Sequence, residues 1–178
     1  LCDWSSDVCS SDLARFSVLE AQKLRIEPVP IKDTSCKRIL IDSCVIIEML
    51  QDPEFQNNLF KLFDGTTRPV VVDKCLYEVQ KVTGWKINTV KDVLSRIFGQ
   101  KVHIIRTTKP IEQMEYSMRF KYPGESHSAD STLLALGVKL DWQVCTKDGG
   151  LIRLCKKENV KTIHPKSNGF ILQGELIA

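Results

Sequence analysis

ILIDSCVIIEML, residues 39–50, is the stretch whose reading decides the fold. An apolar run, Ile39 to Ile41, meets one carboxylate, Asp42, and apolar character then resumes through Val45, Ile46, Ile47, Met49 and Leu50. Aliphatic residues in succession, without polar alternation, read as a strand buried on both faces of a parallel sheet. The acid at its end falls at the crevice where open α/β sheets bind ligands, and the residues after it continue as a largely buried helix. Asp42 is therefore the first candidate site residue, with helix capping as its ordinary alternative role.

Outward from this unit the strand and helix signals keep alternating. Asp52-Pro53 starts a helix carrying Phe55, Leu59, Phe60, Leu62 and Phe63 at helical spacing, stopped by Gly65. Residues 69–72 are a second buried strand, and Asp73 stands where an N-cap would open the helix KCLYEVQKV, with Leu76, Val79 and Val82 inward and Glu78 beside them. Residues 90–98 form an amphipathic helix before Gly99, residues 102–105 a strand, and residues 110–120 a helix with Ile111, Met114 and Met118. In GESHSADSTLLALG, Ser126 or Ser128 caps a helix that packs Leu133, Leu134 and Leu136 inward and carries Asp130 in its first turn. Residues 142–146 are a fourth strand, followed by Lys147-Asp148-Gly149-Gly150 and the helix LIRLCKK; residues 160–164 are a fifth strand, and residues 170–173 an edge strand or tail. Such alternation predicts an α/β fold with a mostly parallel sheet of about five strands covered on both faces.

The 178 residues are one domain's worth of chain, and no stretch approaches the apolar length of a membrane span. With 43% hydrophobic and 26% charged residues the composition is that of a soluble globular protein, expected to be cytoplasmic. The seven cysteines form no C-x-x-C pair, which fits reduced thiols used as small hydrophobes and gives no zinc frame. Residues 1–12 repeat Ser-Ser-Asp, show no structural period, and resemble translated sequencing-adaptor DNA; they are expected to lie outside the fold. They carry Asp3, Asp7 and Asp12 and no base, so leaving them aside raises the net charge from +3 to +6, a balance compatible with a polyanionic partner. Residues 13–36 then read as a short helix, residues 14–24, and a connector punctuated by Pro28 and Pro30.

Four acids share one relation to these elements. Asp42 and Asp148 directly follow apolar strands, while Glu78 and Asp130 sit in the amino-terminal halves of helices. In a parallel α/β sheet, strand carboxyl ends and helix amino ends share an edge, so all four can converge. Carboxylates brought together repel unless a cation holds them, and an oxygen-only donor set suits Mg²⁺ or Mn²⁺. Each acid also has an ordinary role. Asp130 would be a first-turn helix charge, Asp148 a turn residue, and Glu78 an ion-pair partner of Lys74 or Lys81.

ILIDSCVIIEML, VVVDKCLYEV, HSADSTLLALG and VCTKDGGL, in that order and spacing, resemble the four acidic motifs of PIN-domain ribonucleases. The resemblance spans residues 37–173, leaving 174–178 as a tail, and implies a three-layer α/β/α sandwich. It further implies Mg²⁺- or Mn²⁺-dependent endonucleolytic cleavage of RNA to 5′-phosphate and 3′-hydroxyl ends. Asp42, Glu78, Asp130 and Asp148 would be the catalytic, metal-holding acids, and Ser43 and Thr146 the hydroxyls that support them. The C-terminal run from Thr146 onward is similar to PIN nucleases that process small-subunit ribosomal RNA, and the four acids are shared by VapC-type toxins. Expected partners are RNA and either a ribosome-assembly factor or an antitoxin, with a homodimer among the alternatives.

Lys147, Arg153, Lys156 and Lys157 flank Asp148 and suit RNA phosphates, or else complement a helix carboxyl end. His127, three residues before Asp130, would assist the leaving group or stand exposed at the helix start. Trp85 and Trp142 would stack on bases or pack at the core edge. Cys44 reads as buried beside the site, because its motif holds no partner His. A haloacid-dehalogenase-type phosphatase needs a second acid two residues after the first, where this chain has Cys44. A catalytically silent RNA- or protein-binding scaffold gains nothing from clustered carboxylates.

Overall fold

Residues 36–63, 66–166, 169–172 and 175–177 are described by the computed structural model. The readings for residues 1–12, 13–35 and Gly65 fall outside them. The aliphatic run forms β1 (Lys37–Ile41), whose last three residues are all but inaccessible to solvent. Such burial requires neighbours on both sides. β1 lies between β2 (Thr67–Val72) and β4 (Gln143–Cys145), parallel to both. β3 (His103–Ile105) pairs with β2, and β5 (Thr162–Lys166) with β4, again in parallel. The five parallel strands match the sequence expectation. Two short antiparallel strands, β6 (Gly169–Leu172) and β7 (Glu175–Ile177), extend the sheet beyond β5 to give the order β3-β2-β1-β4-β5-β6-β7. β7 therefore occupies residues read from sequence as a tail; it is a short strand outside the alternation of strands and helices that marks β1 to β5.

The strand order determines where the helices go. From β1 the chain steps to β2 and β3 through α1 (Ser43–Gln51), α2 (Pro53–Phe60), α3 (Asp73–Thr83) and α4 (Ile87–Ile97). It then reverses direction, reaching β4 and β5 through α5 (Lys109–Lys121), α6 (Ser128–Leu140) and α7 (Gly149–Lys157). Because parallel crossovers are right-handed, the reversal places α1–α4 on one face and α5–α7 on the other. The result is a three-layer α/β/α sandwich with its topological switch between β1 and β4, where open α/β sheets form their crevice. Among the described residues no helix is long and apolar enough to cross a membrane.

The core lies on both faces of the sheet, with α6 the most deeply set helix: residues Ser131 to Gly137 are all buried. Gly137 permits this approach. A Cβ there would lie 2.8 Å from Val160 Cγ1 and 3.3 Å from Val144 Cγ2. Gly137→Ala is expected to destabilise the fold by about 1–3 kcal/mol through overpacking, read as a lower midpoint in urea with unchanged slope. Cys75, Cys145 and Cys155 are buried as the thiol reading requires.

Two capping expectations need correction. Asp73 is the first residue of α3 rather than its N-cap; its carboxylate accepts the Lys74 N–H of the first turn at 2.8 Å and also the Thr107 N–H at 2.9 Å and the Thr107 hydroxyl, fastening the segment after β3. The N-cap of α6 is His127, not Ser126 or Ser128, because Ser128 turns its hydroxyl to Glu115 and Ser126 pairs with Ser131.

Candidate active site

Asp42 follows the last residue of β1 and is 3% exposed. It stands at the N-cap position of α1 without making a side-chain cap bond, so the ordinary reading of this acid does not apply. Its N–H continues the sheet by donating to the Cys145 carbonyl at 3.0 Å. Its carboxylate is held by side chains instead. Oδ2 accepts the Thr146 hydroxyl at 2.6 Å and the Cys44 thiol at 3.0 Å, and Oδ1 faces Ser43 Oγ at 3.3 Å. The Ser43 hydroxyl makes its shorter bond to Glu78 Oε2, at 2.6 Å. Thr146, wholly buried, accepts the Asp148 N–H at 3.0 Å. One chain of hydrogen bonds thus runs from Glu78 through Ser43, Asp42 and Thr146 to the backbone of Asp148.

Asp130 joins this group through space. It lies in the first turn of α6, where Oδ2 accepts the His127 N–H at 3.4 Å. Burial, and then the charges of Asp42, Asp148 and Glu78, push its carboxyl up to about 6, against the opposing pull of the His127 N–H. All three other acids are therefore close enough to make its ionisation costly. The Cys44 thiol is pushed up to about 12, first by burial and then by the Asp42 charge. At neutral pH Cys44 is a thiol donor to Asp42, which agrees with its reading as a buried, non-nucleophilic neighbour.

Four carboxylates with two hydroxyls make an all-oxygen donor set under mutual repulsion. Among the described residues, no three His, Cys, Asp or Glu side chains form a ready-made ion cage. An all-oxygen donor set of this kind still fits a hard divalent cation.

The basic candidates separate. The Lys147 ammonium is paired with Glu48 of α1 and lies 5.1 Å from the Phe55 ring, so this residue ties the loop after β4 to α1 and α2. Lys157, at the far end of α7, pairs at 2.9 Å with Glu125 in an exposed contact of little strength. Arg153 is exposed and folds back along the start of α7, where its Nη1 would sit 3.6 Å from a Cβ on Gly149. His127 is exposed. Trp142 stands just before β4, at the opposite end of the strand from the acids, and has the Arg38 guanidinium 5.2 Å from its ring. Trp85 follows the carboxyl end of α3, one helix length from the acidic edge.

Asp148 Oδ1 caps α7 by accepting the Leu151 N–H at 2.8 Å. Gly150 leaves room for this. A Cβ at Gly150 would lie 2.8 Å from Asp148 Oδ1, whereas one at Gly149 would meet only Arg153 at ordinary contact distance. Gly150→Ala is expected to displace the carboxylate and lower any activity that depends on it by about 10- to 100-fold. Gly149→Ala should leave activity near wild type. Parallel assays of the two folded variants check the contrast.

Sequence reasoning missed Glu115. It is 5% exposed on α5 and ion-paired with Lys74 of α3. The signal was present, because Glu115 lies on the apolar stripe of Ile111 and Met118, where an acid requires a partner.

No family model and no curated protein matches this sequence. Among the solved structures similar to this chain are two PIN-type proteins. The PIN domain endonuclease Utp24 superimposes with a TM-score of 0.50 at 16% identity, over 78% of this chain and 92% of that one. VapBC2 from Rickettsia felis, solved bound to a DNA fragment from their promoter, does so with a TM-score of 0.50 at 14% identity, over 66% and 92%. The chain has the PIN-domain fold.

Proposed function

We propose that this protein is a divalent-metal-dependent endoribonuclease that hydrolyses RNA phosphodiesters at the edge shared by Asp42, Glu78, Asp130 and Asp148. The observation that carries the reading is the hydrogen-bonded chain from Glu78 through Ser43, Asp42 and Thr146 to the backbone of Asp148 at the carboxyl edge of the sheet, beside which burial and these acids raise the Asp130 carboxyl, a repulsion that a cation would relieve at neutral pH. Mg²⁺ or Mn²⁺ bound there would supply a water of lowered pKa and neutralise charge on the phosphodiester.

The chain's own residues divide the remaining work. Asp42, Glu78, Asp130 and Asp148 would together hold the ion. Ser43 and Thr146 keep Asp42 and Glu78 oriented through bonds of 2.6 Å each. Arg153 and Lys157 would grip phosphates on the α7 side, and His127, exposed at the start of α6, would protonate the departing 3′-oxygen. Lys147 serves this set by holding its loop against α1. Water attacks phosphorus in line and the P–O3′ bond breaks, leaving a 3′-hydroxyl upstream and a 5′-phosphate downstream.

A role in ribosomal RNA processing is the reading we favour over an antitoxin-controlled toxin. The sequence from Thr146 onward, similar to PIN nucleases that process small-subunit ribosomal RNA, carries that preference. End-labelled single-stranded and structured RNAs, incubated with Mn²⁺ or with EDTA, test the activity. Metal-dependent fragments with 5′-phosphate ends are expected. EDTA-resistant cutting, or 2′,3′-cyclic phosphate ends, would overturn the mechanism.

A further inference from the structure

A buried polar assembly stands beside the four acids without including any of them. At its centre, the Glu115 carboxylate of α5 accepts the Lys74 ammonium, the Ser128 hydroxyl at 2.6 Å and the Thr132 hydroxyl at 3.4 Å. The Lys74 ammonium also donates to Ser128 Oγ at 2.8 Å, closing a three-membered ring of side chains. Burial works against ionisation of Glu115, but the bonds from Lys74 and Ser128 outweigh it and hold its carboxyl below the ordinary value. Glu115 is thus a charged group drawing together three helices.

The partners lie where the acids are carried. Lys74 stands one helical turn before Glu78 on α3, and Ser128 two residues before Asp130 in the first turn of α6. These helices belong to opposite layers of the sandwich, so no backbone hydrogen bond sets the distance between their amino ends. We propose that Glu115 is a positioning residue whose carboxylate clamps the first turns of α3 and α6 and thereby sets the spacing of Glu78 and Asp130. The inference rests on reading those acids as the cation-holding site of a nuclease. Stability alone does not demand such a clamp, because a buried ion pair is commonly replaced by apolar groups without loss. Direct oxygen and ammonium contacts define a separation that sliding apolar contacts leave loose, and an ion of fixed geometry needs it defined.

The test compares the full chain with Glu115→Gln, the paired Lys74→Met/Glu115→Leu variant and Asp130→Asn. Mn²⁺ affinity is read by calorimetry, kcat and KM on a labelled RNA, and Tm by thermal unfolding. Glu115→Gln is expected to weaken Mn²⁺ binding by about 10- to 100-fold, the cost typical of removing a group that orients a ligand, and to lower kcat more than it changes KM. The apolar pair is expected to recover Tm while Mn²⁺ affinity stays low. If it recovers both, Glu115 is only a structural residue and the inference fails; it fails equally if Glu115→Gln binds Mn²⁺ as wild type does. Should Glu115→Gln not fold, the apolar pair decides on the same criterion. A wild type that neither binds Mn²⁺ nor cuts RNA overturns the nuclease reading and this inference together. An active wild type, an inactive Asp130→Asn and an unchanged Glu115→Gln overturn this inference alone.

Discussion

Asp42→Asn is expected to lower RNA cleavage on the order of 1000-fold, the scale of removing one preorganised electrostatic group, and to leave the fold intact. The second half of that expectation follows from the hydrogen bonds. The Thr146 hydroxyl and the weaker Cys44 thiol donor both point at Oδ2, and Oδ1 faces Ser43 Oγ at 3.3 Å. An amide with its oxygen in the Oδ2 position keeps both donors satisfied. Its NH₂ then donates to Ser43, whose own proton remains on Glu78. The loss should therefore be one of charge. A companion effect separates it from misfolding, because the Asp42 charge is the largest electrostatic contribution to the raised Asp130 carboxyl. In Asp42→Asn that carboxyl should titrate closer to its ordinary value, as followed by carbon NMR. By contrast, Asp42→Ala should cost stability as well, since it strands the buried Thr146 hydroxyl.

Asp130→Asn should abolish cleavage and at the same time stabilise the metal-free protein. A carboxyl raised from 3.8 to about 6 means that the folded chain binds this proton more tightly than the unfolded chain. Below about pH 4 the group is protonated in both states. Between the two values only the folded state retains the proton, so this group's contribution to stability falls as pH rises through that window, and above about pH 6 the full cost of the repelling charge remains. Partial exposure screens the repulsion, so its removal is worth on the order of 1 kcal/mol, or about 2–4 °C in Tm. The difference in Tm between Asp130→Asn and wild type should be positive at pH 7.5 and shrink toward pH 4.5. Equal values of Tm at all pH would mean that the Asp130 carboxyl is neither desolvated by burial nor repelled by the other acids.

The path of the chain explains which of these features could be read from sequence. Ile39 to Asp42 announced both a buried strand and an acid at its end, because burial on two faces erases alternation and makes one carboxylate conspicuous. Asp130 and Asp148 followed from the same logic applied to other junctions. What escaped depends on contacts distant in sequence. Asp73 looks like a cap locally, and it does accept the first-turn Lys74 N–H, but its carboxylate is also claimed by the distant Thr107, and Ser128 is taken from its capping role by Glu115. Lys147 adjoins Asp148 in sequence, yet its ammonium leaves the groove for Glu48. Local period and composition report which face a residue occupies; they do not report which partner claims it. β7 escaped because it lies outside the strand–helix alternation that marks β3 and β4, which are equally short.

Direct titration of the metal-free wild type with Mn²⁺, followed by electron paramagnetic resonance at pH 7.5 and pH 5.5, addresses the central claim that the four acids form a cation site. Saturable binding at pH 7.5, weaker at pH 5.5 as Asp130 takes up its proton and lost in Asp42→Asn and Asp130→Asn, is the predicted result. Absence of saturable binding, or binding indifferent to both substitutions, would contradict it.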